Sequence, residues 1–123
     1  MAYDRPIYTT YTFPAATLST DATIGKFQGP AGRTGRVEDI SYRVTTGVTV
    51  AAAELNVGAT ADDTDNAVCS VEVASAGATG AATADEVGKS DSNRLPADTT
   101  INVATDGACT AGAADVFVTV AWY

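Results

Sequence analysis

Apolar residues recur at every second position along Asp115-Val-Phe-Val-Thr-Val-Ala-Trp-Tyr123, the period of a β-strand. Val116, Val118, Val120 and Trp122 form a bulky face that should be buried. Phe117, Thr119, Ala121 and Tyr123 form a smaller, mixed face that should be half covered. Such a strand belongs inside a sheet, and the other strands are expected to arrange around it. Ile7 to Phe13 alternates in the same way between Pro6 and Pro14, which suits an edge strand. Short strands follow at 23–28, 36–46, 48–50, 53–57, 68–74 and 99–104. Val37 is out of phase with Ile40, Tyr42 and Val44, so a bulge is expected near Glu38-Asp39. Gly47 reads as a turn, 76–92 as a long surface loop with one helical turn at 84–87, and 105–114 as a loose connection. About eight short strands with Gly-rich turns predict an all-β fold, an antiparallel β-sandwich or jelly roll.

The composition agrees. Val and Thr favour strands, while Gly and Asp favour turns. The 123 residues suit one domain, with 1–14 as an N-terminal arm and first strand and 15–123 as the sandwich. Hydrophobic residues make up 46%, but Ala supplies many of them, so the core is thinner than that share suggests. Net charge is −8, which disfavours nucleic acid and anionic membrane as partners. Lys26, Arg33, Arg36 and Arg43 lie close together in the chain. From Val44 to Gly88 there is no Lys or Arg, but Glu54, Asp62, Asp63, Asp65, Glu72, Asp85 and Glu86 all occur. That polarity could dock two subunits, or a subunit and an acidic platform; solvated loops are the plainer reading. The opening Met-Ala-Tyr-Asp-Arg-Pro has no apolar core of a signal peptide, so synthesis in a cytoplasm is expected.

Little in the chain points to chemistry. Without His there is no Ser-His-Asp or Cys-His system and no imidazole ligand. Carboxylate pairs could serve glycoside hydrolysis, yet most acids lie in Gly- and Thr-rich stretches without an aromatic platform. The expectation is a protein that is not an enzyme and takes no cofactor. Cys69 and Cys109 are too few for a zinc site; they are two buried thiols or one bridge. Asp62, Asp63 and Asp65 could hold calcium but lack EF-hand spacing, and a solvated acidic loop is the plainer reading. Gly29-Pro-Ala-Gly-Arg-Thr-Gly35 has neither a Walker A ending nor a dinucleotide fingerprint, which leaves a tight turn between strands. Tyr3, Tyr8 and Tyr11 concentrate aromatic surface near the N-terminus, either as interface anchors or as a lid on the domain's own core.

Two stretches carry a resemblance. Gly29-Pro-Ala-Gly-Arg-Thr-Gly-Arg-Val-Glu-Asp-Ile40 is a glycine turn feeding a strand. Leu95-Pro-Ala-Asp-Thr-Thr-Ile-Asn-Val103 leads through a Gly-rich connection to the closing strand. Together they cover about half the chain and resemble the small β-sandwich capsid decoration, or cement, proteins of tailed bacteriophages. The resemblance implies a structural virion protein without catalytic residues. It would bind the major capsid protein on the outside of an icosahedral head, often as a homotrimer at three-fold positions. Tyr3, Tyr8, Tyr11, Lys26, Arg33, Arg36, Phe117 and Tyr123 are then the candidate interface residues. A carbohydrate- or receptor-binding sandwich and a tail or neck component are the alternatives.

Overall fold

The computed structural model describes residues 6–51, 53–58, 69–73, 79–83 and 94–123. Its strands are β1 (Ile7–Thr17), β2 (Ala22–Phe27), β3 (Gly35–Thr49), β4 (Ala53–Gly58), β5 (Cys69–Val73), β6 (Thr79–Thr83), β7 (Arg94–Leu95), β8 (Ile101–Thr105) and β9 (Ala111–Trp122). One sheet runs β1-β9-β3-β6, with the two-residue β7 also on β3; the other runs β2-β8-β4-β5. The pairing follows a simple rule. β1 joins β9, β2 joins β8, β3 joins β6 and β4 joins β5, all antiparallel. This is one long hairpin rolled up, which brings β9 against β3 and β8 against β4 as well. The expected sandwich is therefore a jelly roll.

The core lies between the sheets. β9 contributes Val116, Val118, Val120 and Trp122, all buried, as the two-residue period requires. Val37 and Ile40 of β3 lie beside them, and Leu55, Val57, Ile101 and Val103 face them from the second sheet. Each such side chain stabilises the fold by roughly 1.5–3 kcal/mol. The bulge expected near Glu38-Asp39 is present: the register of β3 on β9 shifts between Val37 and Asp39. The extra residue puts Val37 and Ile40 on the same buried face despite their odd spacing.

Four elements differ from the sequence expectation. Gly47 makes no turn; β3 runs through it to Thr49, its irregularities absorbed by register shifts between Val44 and Thr46 and between Thr46 and Thr49. The reversal comes at Val50, where Ala51 N–H donates to Thr49 O (3.0 Å) around a φ of 75°. That is the rare, strained form of γ-turn. β1 continues past Pro14 through a bulge between Phe13 and Ala16, because Ala15 adopts φ 53° and its N–H donates to Asp115 Oδ1 (2.9 Å). Part of the expected long loop is β6, and Ala111 to Ala114 belongs to β9 rather than to a connection. Both segments consist of Ala, Gly and Thr, so no bulky alternation marks them. The expected helical turn at 84–87 lies outside the described residues.

Candidate interaction surface

The outward face of the β1-β9-β3 sheet is laid down in three cross-strand rows. Tyr8, Ala121 and Arg36 form the first, Thr10, Thr119 and Asp39 the second, and Thr12, Phe117 and Ser41 the third. The hydroxyls of Thr10 and Thr119 share a hydrogen bond at 2.9 Å. Beyond the third row Asp115 accepts from the Ala15 N–H and pairs with Arg43 at 3.3 Å. The middle of this surface is thus two threonines beside Asp39, with an aromatic ring at each end. Ala121 is fully buried there despite facing outward, between the positions of Tyr8 and Arg36. Arg36 Nε and Asp39 Oδ1 are shielded from solvent without a hydrogen-bond partner, a costly condition for polar atoms.

The candidate residues do not form one patch. Tyr8 is 65% exposed and lies with Arg36 and Phe117 on this face. Tyr11 points the other way: its ring stacks on Phe27 at 4.1 Å, and its hydroxyl accepts from Trp122 Nε1–H at 3.2 Å. It lids the domain's own core. Lys26 is exposed on β2, in the other sheet. Arg33 sits in the 28–34 turn, its Nη1 donating to Trp122 O at 3.4 Å. Tyr123 is half-buried, its N–H donating to Thr34 O at 2.8 Å. Tyr3 lies outside the described residues. So do Asp62, Asp63, Asp65, Asp85 and Glu86, and with them most of the acidic partner of the expected polarity. Cys109 is a buried free thiol. Ile7, 44% exposed, and Val50, 82% exposed, were not among the candidates, since apolar residues in short strands carry no signal that marks them as exposed.

The glycine turn proves to be a cradle. A Cβ on Gly29 would lie 2.5 Å from three atoms of the Trp122 indole, and one on Gly35 would lie 2.7 Å away. Only backbone without side chains can approach the ring so closely. Gly32, at φ 76°, closes the turn, and its N–H donates to Asp98 Oδ1 at 2.9 Å. The segment's glycines serve the fold. A shallow depression of about 420 Å³ lies elsewhere, lined by Pro14, Ala16, Thr17, Thr20, Thr23 and Ile24 among others. Its lining includes no aromatic ring and no charged group. Among the described residues no three His, Cys, Asp or Glu side chains gather as a metal site would need.

No protein-family model matches the chain, and neither does any curated protein. Among solved structures, the chain is similar to the VP2 subviral particle of infectious bursal disease virus. The identity is 14% and the TM-score 0.46, over 96% of this chain and 33% of that one. It is also similar to the T13 particle of the same virus, at 16% identity and TM-score 0.40, over 96% of this chain and 31% of that one. The chain thus spans about a third of the length of each viral protein it resembles.

Proposed function

We propose that the chain is a structural virion protein that decorates an icosahedral head, binding the major capsid protein on the outer surface as a homotrimer at three-fold positions. The supporting observation is the outward face of the β1-β9-β3 sheet, where Thr, Ala and Ser lie between Tyr8 and Phe117, with Arg36 and Asp39 along its β3 side. Jelly rolls serve both viral capsids and lectins, so the surface must decide between them. A sugar site wants a concavity with aromatic and ordered polar groups. The depression formed by the described residues is lined by Pro14, Ile24 and alanine and threonine side chains, without an aromatic ring. A face of mostly small residues suits close approach of another protein, and three-fold symmetry repeats each modest contact. Net charge of −8 keeps such a protein away from packaged nucleic acid. The virion surface is then its location, after synthesis in the host cytoplasm.

The test is co-sedimentation of the purified chain with expanded capsid shells, together with quantification in purified particles. Stoichiometric recovery with the particles is expected. Recovery only as free protein, with none in virions, overturns the reading. Binding above background on a glycan array, without shell binding, favours the receptor-binding alternative.

A further inference from the structure

The edge of β1 points to a second contact, independent of the decoration reading. β1 is the outermost strand of its sheet, and among the described residues no strand pairs with its outer side. Exposed edges of this kind are ordinarily blunted with charges, prolines or bulges. Here Pro6 precedes the strand, and Pro14 and the bulge between Phe13 and Ala16 interrupt only its last third. Between them, Ile7-Tyr-Thr-Thr-Tyr-Thr-Phe13 is made wholly of β-branched and aromatic residues, and no charged residue occurs between Arg5 and Asp21. Another edge strand, β2, is shorter and carries the exposed Lys26 and a register shift between Thr23 and Gly25.

We infer that β1 pairs with β1 of a second copy of this chain, antiparallel about a two-fold axis through Thr10, joining two sheets into one. Three observations select a second copy as the occupant. Pro6 and Pro14 are equidistant from Thr10. A two-fold there sets Pro6 opposite the partner's Pro14, which keeps both missing N–H groups outside the ladder. The segment is neutral in a chain of net charge −8, so self-pairing brings no like charges face to face at the seam. The pairing also matches side chains. Ile7 meets the partner's Phe13 and Thr9 meets the partner's Tyr11, both aromatic–β-branched pairs of the kind that stabilise sheets. The 44%-exposed Ile7 gains cover, and the symmetry makes each contact twice.

Cysteine trapping tests the register without any capsid, so its outcome is separate from that of the decoration reading. In the full chain carrying Cys69→Ser, with the buried Cys109 left in place, Thr10→Cys sets a thiol directly opposite its own copy, within disulfide reach. Mild oxidation is expected to convert most of this variant to a covalent dimer. Thr12→Cys alone should stay monomeric on a non-reducing gel, while a mixture of Thr12→Cys and Tyr8→Cys cross-links. No dimer from Thr10→Cys, or equal dimer from Thr12→Cys alone, overturns the proposal. Sedimentation of the unmodified chain over a dilution series gives a second reading, since Thr10→Arg should weaken self-association by about tenfold or more through facing like charges. Thr10 is exposed and gives up only its hydroxyl bond to Thr119, so this variant should still fold, with a slightly lower melting temperature. An unmodified chain that stays monomeric throughout overturns self-pairing and leaves the edge to a strand of another protein.

Discussion

The substitution Gly29→Ala should destabilise the protein through one identifiable contact. The new Cβ would lie 2.5 Å from Cη2, Cζ2 and Cζ3 of Trp122, where carbon atoms prefer about 3.5–4.0 Å. Either the 28–34 turn or the indole must retreat by about 1 Å. The indole is hemmed in: it is 1% exposed, its Nε1–H is held by Tyr11, and its ring packs edge-on to Phe27. Overpacking of this kind costs about 1–3 kcal/mol, or a Tm loss of about 3–12 °C for a domain of this size. The matched background is Trp122→Phe, which costs about 2–3 kcal/mol itself through a smaller ring and the lost hydrogen bond. It also vacates the space that the added methyl group needs. Gly29→Ala should then cost less than about 0.5 kcal/mol, a coupling of about 1–2 kcal/mol across the cycle. Urea unfolding followed by far-ultraviolet circular dichroism, at one protein concentration, measures all four proteins without relying on the sole tryptophan. Equal cost of Gly29→Ala in both backgrounds would refute the cradle and assign the penalty to the turn backbone. Gly47→Ala, with nothing within 4 Å of the added carbon, is the control and should be nearly neutral.

Gly107→Ala should be costlier still, about 3 kcal/mol or more, because Gly107 combines φ 66° with a Cβ position 2.3 Å from Asp21 N; thermal unfolding reads it. Asp106→Ala removes the Oδ1 acceptor that holds Glu54 N–H at 3.0 Å and Ala108 N–H at 3.1 Å, and should lower stability by about 1–3 kcal/mol in urea titrations. Val50→Gly should raise stability by about 0.5–2 kcal/mol, since relief of strain at φ 75° outweighs the added freedom of the unfolded chain; a fall in Tm contradicts the γ-turn. Asn56→Leu should be neutral or stabilising by up to about 2 kcal/mol, because the amide is 2% exposed with neither of its polar atoms bonded; a large loss of stability contradicts that account.

The parts of the fold that were legible in the sequence are those where a buried face demands bulk. Val116, Val118, Val120 and Trp122 announced the central strand because large side chains at a two-residue period are what a buried strand face requires. The Glu38–Asp39 bulge was legible for the same reason, as a break in that period. β6 and the first residues of β9 were not, because a run of Ala, Gly and Thr has no alternation of bulky and polar residues to mark a strand. The Gly29–Gly35 turn was recognised as a turn, but its cradling of Trp122 depends on a residue at the far end of the chain. The candidate surface was legible only in part. Phe117 and Tyr8 do face outward, whereas Tyr11 shares the alternation of an edge strand but is drawn inward by Phe27 and Trp122.

The rolled-up hairpin also dictates the order in which the protein can fold. β9 separates β1 from β3 in their sheet, yet it is the last of the strands to be made. Tyr11 and Trp122, joined by a hydrogen bond, stand 111 residues apart in the chain. The β1-β9-β3-β6 sheet therefore cannot close before β9 is made, and β1 waits without that partner until then. Contacts of such long range make folding slow, and a waiting strand of neutral, β-prone sequence is the kind that meets other nascent copies first. Crowded synthesis of many copies should thus be the condition under which this chain most depends on a chaperone, and slower translation or lower temperature should raise the yield of soluble protein.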